Sequence, residues 1–158
     1  IVRGTLQLDF AAVDLVEVVE EAIETVRPTA EAKALQLETQ LQNTAPIWGD
    51  FRRLQQMVLN LLTNAIKFTP EGGQVQVLLD QQDSYIRVQV IDTGKGIHPD
   101  FLPHIFERFQ QDQQNTTVKQ GLGLGLAIVQ YIIEQHHGTV TAQSEGIGQG
   151  ARFTALLP

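Results

Sequence analysis

Leu15, Val18, Val19, Ala22, Ile23 and Val26 recur three and four residues apart, the spacing that places side chains on one face of an α-helix. Asp14 stands where an N-cap belongs, and Pro28 ends the helix there or one turn beyond. Leu6 to Phe10 reads as a short extended stretch before it. Leu35 to Leu41 alternates apolar and polar residues as a half-buried strand does, and Pro46 to Asp50 reads as a connection in which Trp48 packs in or at the edge of the core. A second helix is predicted from Phe51 to Phe68, with Phe51, Leu54, Val58, Leu61, Leu62 and Ala65 on its core side, stopped by Pro70 and Gly72-Gly73. Gln74 to Leu79 and Tyr85 to Ile91 form a hairpin through the polar Asp80 to Ser84. A third helix runs from Leu124 to His136 with Gly138 as its C-terminal cap. Thr139 to Ser144 and Ala151 to Leu157 then form a strand pair turning through Gly146, Gly148 and Gly150. Between hairpin and third helix, Gln110 to Gln120 nearly lacks large apolar residues, so a mobile lid over a ligand is expected there.

Composition narrows the function classes. With 158 residues and 42% of them hydrophobic, the chain has the size and core-forming content of one domain, 1–158, with no repeat or second unit. The absence of cysteine excludes thiol nucleophiles, Cys-ligated zinc and iron–sulfur clusters. A net charge of -7 argues against sequence-independent binding to nucleic acid or an anionic membrane. Met57 to Ile66 is the most apolar run, but it is short and interrupted by Asn60, Thr63 and Asn64, so no membrane span is expected. The chain begins at Ile1, without an initiator methionine or a signal-peptide layout, and reads as an excised fragment or a processed chain.

Three constellations carry candidate chemistry. Asn60, Asn64 and Lys67 lie at i, i+4 and i+7 on the second helix, forming a polar face turned away from the apolar stripe. Amide oxygens suit Mg²⁺ and the lysine suits phosphate, although a solvated helix face accounts for the same spacing. Strand parity puts Asp92 on the apolar side with Ile86, Val88 and Val90, where a carboxylate needs a donor. A purine amine supplies one, and so does a backbone amide if Asp92-Thr93-Gly94-Lys95-Gly96 is an Asx-type turn. Gly121-Leu122-Gly123-Leu124-Gly125-Leu126 leads into the third helix, offering either a phosphate cradle or a glycine hinge. It fits neither the dinucleotide fingerprint nor the P-loop. His98 and His104 fall in the lid segment, and His136-His137 end the third helix in a structural role, where positive charge suits the dipole.

Taken together, these segments resemble the catalytic and ATP-binding domain of sensor histidine kinases, in the GHKL superfamily with gyrase, Hsp90 and MutL relatives. Gly49 to Gln56 with Leu59 to Pro70 resembles the N box, and Asp92 to Ile97 the G1 box. Ile105-Phe106-Glu107-Arg108-Phe109 resembles the F box, Gly121 to Val129 the G2 box, and Gly148 to Phe153 the closing glycine turn. Gly4 to Leu15 resembles the segment leaving the dimerisation helices, so residues 1–12 are expected to be a leading segment and 97–121 an ATP lid. The resemblance implies an α/β (α+β) two-layer sandwich of the Bergerat type. About three helices would pack on one face of a mixed, mostly antiparallel sheet of about five strands.

The resemblance also implies roles. Asp92 accepts a hydrogen bond from the adenine amine, while Gly94, Gly96 and Ile97 shape the base pocket. Asn64 coordinates Mg²⁺ with Asn60 beside it, and Lys67 touches a phosphate. Gly121, Leu122, Gly123, Leu124, Gly125 and Leu126 wrap the phosphates, and Phe106 and Phe109 anchor the lid. Many relatives carry an arginine just after the F box. Here Gln111 occupies that place, leaving Arg108 or Lys119 as substitutes. Hydrolytic relatives have a water-activating glutamate where this chain has Asn60, so intrinsic hydrolysis is expected to be slow. None of the four histidines is followed by an acidic residue, so the phosphate acceptor is expected on a separate dimerisation domain. The implied function is transfer of the γ-phosphate of Mg-ATP to that histidine, with a response regulator receiver domain downstream. The isolated domain would be a monomer, and the parent a cytoplasmic or membrane-anchored homodimer whose catalytic part touches neither nucleic acid nor membrane. The alternative is a degenerate ATP-binding or docking module.

Overall fold

The computed structural model describes residues 7–107 and 124–158. Its elements follow the apolar periodicity closely. Helix α1 spans Leu15–Ala32 and buries the six predicted apolar positions together with Ala30. Its N-cap Asp14 accepts from the Val16 amide, and Pro28 lies inside the last turn and a half. Helix α2 spans Phe51–Phe68. Met57 and Ile66 join its buried face, whereas Phe51 at its start is only half-buried. Helix α3 spans Leu124–Gln135 and buries Val129, Ile132 and Ile133.

Five strands form the main sheet: β2 (Gln36–Leu41), β4 (Gln74–Gln82), β5 (Tyr85–Asp92), β6 (Thr139–Gln143) and β7 (Ala151–Leu157). Their order is β2-β4-β5-β7-β6, with only β2 and β4 parallel, so the sheet is mixed and mostly antiparallel as expected. Val75, Val77 and Leu79 of β4, Ile86, Val88 and Val90 of β5, and Phe153, Ala155 and Leu157 of β7 are buried in the core shared with the helices. The opposite face is polar, with Arg87 donating two hydrogen bonds to the Asp80 carboxylate and Gln89 donating to Thr154 Oγ1.

Five local expectations are corrected. The 46–50 connection contains a strand, β3 (Ile47–Gly49), which pairs antiparallel with β1 (Ala11–Val13); the leading strand thus follows Leu6 to Phe10 rather than occupying it. In this ribbon Ile47 and Gly49 point inward, so the period of two sends Trp48 outward, 70% exposed and outside the core. The β4–β5 turn is only Asp83-Ser84, tightened by a left-handed Asp83 (φ 53°), because strand pairing extends to Gln82 and Tyr85. At the end of α3 the left-handed residue is His137 (φ 62°), not Gly138. The Gly138 amide, one residue on, closes the motif on the Ile133 carbonyl.

Candidate functional site

Helix α2 is held at both ends. Its N-cap Asp50 is 7% exposed, and the carboxylate accepts from the Arg53 amide (3.0 Å) and from the Asp9 amide of the leading segment (2.7 Å). At the other end the last four carbonyls all have partners, satisfying the groups a helix terminus leaves open. Thr69 Oγ1 donates to Ala65 (2.7 Å), and Lys33 Nζ donates to Ile66 (2.8 Å) and Lys67 (3.0 Å). The Lys95 amide donates to Phe68 (3.0 Å), which clips α2 to the loop that follows β5.

That loop begins at Asp92, 6% exposed at the end of β5, on the inward side that strand parity assigns it. Its Oδ1 accepts the Gly94 amide at 2.8 Å, so the Asx turn is formed. Burial raises the Asp92 pKa above the ordinary aspartate value, while the Gly94 and Ala151 amides, donating to the carboxylate, pull the other way. The loop is stitched to the β6–β7 turn. Gly150 donates to the Gly94 carbonyl (3.1 Å), Gly148 to the Lys95 carbonyl (2.6 Å), and the Ile97 amide to Ser144 Oγ (3.0 Å). Gly96 has φ +74°, and a Cβ there would run into the Gly146 carbonyl, so backbone and neighbour both require glycine.

The helix adjoins this loop at its C-terminal end, through Phe68. Asn60 Nδ2 donates to the Gly125 carbonyl at 3.1 Å, tying α2 to the first turn of α3 and leaving Oδ1 as its other polar end. Asn64 and Lys67 are half-buried. Partial burial lowers the Lys67 pKa from its ordinary value, and its Nζ lies 5.7 Å from the Phe68 ring, over which Lys95 Nζ also sits at 4.6 Å. Phe106 packs edge-on against the buried Phe153 at 6.1 Å, and Ile97 and Leu126 are buried. Arg108, Phe109, Gln111, Lys119, Gly121, Leu122 and Gly123 lie outside the described residues, as do most of the expected lid and the side chain of Leu124.

Spacing alone does not disclose the second tie between α2 and α3. His136 is 3% exposed; its Nε2 accepts the Asp50 amide (3.0 Å), its Nδ1 meets the Ile132 carbonyl (2.8 Å), and its ring stacks on Phe10 at 5.1 Å. One ring nitrogen must accept and the other donate, which describes the neutral imidazole with its proton on Nδ1. The structural role expected of His136 holds, but it acts as a neutral bridge and not as a charge on the helix dipole. Lys33 and Ser144 carry no local pattern that would have marked them.

The arrangement offers a buried carboxylate at the base of a glycine-shaped loop, with two amides and a lysine on the adjoining helix face. Neutral amide oxygens suit a hard cation such as Mg²⁺. Among the described residues no group of three or more His, Cys, Asp or Glu forms a dedicated cage. No helix among them is long and apolar enough to cross a membrane.

Comparison with known proteins bears on the family and the fold. The model of the histidine kinase-, DNA gyrase B- and HSP90-like ATPase family matches residues 49–158. Hybrid signal transduction histidine kinase D of Dictyostelium discoideum is 35% identical over 100% of this chain and 12% of its own length. The mycobacterial sensor histidine kinase MprB superposes with a TM-score of 0.84 at 31% identity, covering 95% of this chain and 97% of that one. Full-length ShkA in complex with AMPPNP gives a TM-score of 0.83 at 35% identity over 97% of this chain and 32% of that one. The chain spans between 12% and 33% of the length of seven curated relatives that it matches. Family match, relatives and superposition converge: the chain belongs to the histidine kinase-, DNA gyrase B- and HSP90-like ATPase family, as a catalytic domain of the sensor histidine kinase branch.

Proposed function

We propose that this domain binds Mg-ATP and donates its γ-phosphate to a histidine on a separate dimerisation domain, within a two-component sensor kinase. The observation that carries the reading is the buried Asp92, set in a loop clipped through Lys95 and Phe68 to the helix bearing Asn60, Asn64 and Lys67. In this reading Asp92 accepts a hydrogen bond from the exocyclic amine of adenine, and Gly94, Gly96 and Ile97 form the wall against the base. The similarity to ShkA, whose structure is a complex with AMPPNP, supports an adenine nucleotide as the ligand class.

Asn64, with Asn60 beside it, would hold Mg²⁺, which when bound would neutralise phosphate charge. Lys67 supplies a positive charge toward the phosphates, and its partial desolvation strengthens that interaction. In the remaining part of the reading, the segment from Lys119 through Gly121, Gly123 and Gly125 to Leu126 wraps the phosphates, and Phe106 and Phe109 anchor the lid. Little covalent work falls to this domain, because phosphoryl transfer rests on positioning and charge neutralisation. Asn60 cannot accept a proton from water, so the phosphate is preserved for the acceptor histidine.

The partners in this reading are the dimerisation domain of the same kinase, as a homodimer, and a downstream response regulator receiver. The setting is cytoplasmic. The test is to incubate the chain with Mg²⁺ and γ-labelled ATP, with and without a polypeptide carrying sensor-kinase dimerisation helices. Acid-labile label on the added helices, and none on the chain alone, is the expected result. ATP binding without any transfer would favour the docking module.

A further inference from the structure

The expected base-pocket loop, 94–97, is joined to the β6–β7 turn, 144–150, by three ties among the described residues. Two are backbone to backbone, from Gly150 to Gly94 and from Gly148 to Lys95. The third runs through a side chain, from the Ile97 amide to Ser144 Oγ at 3.0 Å. A serine hydroxyl has one proton to donate and two lone pairs to accept with. At Ser144 all three are used. The proton goes to the Gly150 carbonyl at 2.7 Å, in preference to the Gly146 carbonyl at 3.3 Å, and the lone pairs take the amides of Ile97 and of Gly146 (3.2 Å). Ile97 is 7% exposed, so its amide has little access to water if the hydroxyl is removed.

We infer that Ser144 is a positioning residue for the nucleotide base: its saturated hydroxyl fixes Ile97 and the glycine turn in the arrangement that the adenine end of ATP meets. This rests on the ATP-binding reading above and adds to it a residue outside the boxes that carry the resemblance. The phosphate-side groups are independent of Ser144. Asn60, Asn64 and Lys67 sit on α2, whose end is held by Lys33 and Thr69. Loss of the hydroxyl therefore loosens the base end and spares the phosphate end.

The test compares wild type, Ser144→Ala and Ser144→Thr by calorimetric titration with Mg-ATP and by competition with inorganic tripolyphosphate. Amide exchange of Ile97 and Gly94 is followed by NMR in the absence of nucleotide. For Ser144→Ala the expected results are ATP affinity about 5- to 20-fold weaker, the range set by one lost buried hydrogen bond, tripolyphosphate affinity unchanged, and faster exchange at Ile97 but not at Gly94. Ser144→Thr restores the wild-type values. An alanine variant that binds ATP as wild type does, or that loses ATP and tripolyphosphate equally, overturns the inference. Wild-type protein that fails to bind ATP at all overturns the underlying reading instead, and the exchange rates still report whether Ser144 holds Ile97.

Discussion

Replacing Asp50 by alanine removes two acceptors at once from the start of α2. The carboxylate caps the helix through the Arg53 amide and also receives the Asp9 amide from the leading segment, 41 residues away in sequence. Loss of an aspartate N-cap costs about 0.5–2 kcal/mol. Loss of a hydrogen bond to a charged group in a buried setting costs about 1.5–3 kcal/mol. The two share one side chain and do not add fully, so the expected destabilisation is about 2–4 kcal/mol, or roughly 4–16 °C in melting temperature for a domain of this size. Asp50→Asn keeps one acceptor oxygen and should lose about half as much. The Asp50 amide and its bond to His136 survive both changes. Urea unfolding followed by far-ultraviolet circular dichroism measures the difference. A loss below about 0.5 kcal/mol for Asp50→Ala, or equal losses for the two variants, would refute the view that this carboxylate bridges the helix cap and the leading segment.

Three further outcomes follow from the geometry. Burial raises the Asp92 pKa above 3.8, so the folded state holds that proton more tightly than the unfolded chain. The resulting stabilisation is complete below 3.8 and is lost as pH rises through the folded-state value; urea unfolding from acid to neutral pH should show wild type losing stability relative to Asp92→Asn, and parallel profiles would contradict this. Lys33→Met strips the ammonium from the Ile66 and Lys67 carbonyls and should cost about 1–2 kcal/mol in thermal melts. Trp48, the single tryptophan and 70% exposed, should emit at the long wavelength of water-exposed indole and be freely quenched by iodide; a blue-shifted, protected emission would contradict its outward placement.

Where the sequence is legible, one face of an element is dictated by burial. Six of the seven buried positions of α1 and five of the seven of α2 announce themselves by period, and parity alone carries Asp92 to the inward side of β5. The β1–β3 ribbon has three residues per strand, too few to show alternation, so the size and apolarity of Trp48 point to the core or its edge while the side chain in fact faces out. The contacts that set the site are long-range and polar. Lys33 to the end of α2, Ser144 to Ile97, and Asp50 to His136 join segments 33 to 86 residues apart. No local pattern encodes such pairs. The N-box, G1-box and F-box motifs point to the neighbourhood, and the side chains that lock the neighbourhood together come from elsewhere in the chain.

The central claim is Mg²⁺-dependent binding of ATP through Asp92. The most direct test is calorimetric titration of wild type and Asp92→Asn with ATP, with and without Mg²⁺, using GTP as control. The account predicts binding selective for ATP, strengthened by Mg²⁺, and weakened in the variant by about 10- to 100-fold, the worth of a hydrogen bond to a charged group. Equal affinity for ATP and GTP, or an Asp92→Asn variant that binds as wild type does, would contradict it.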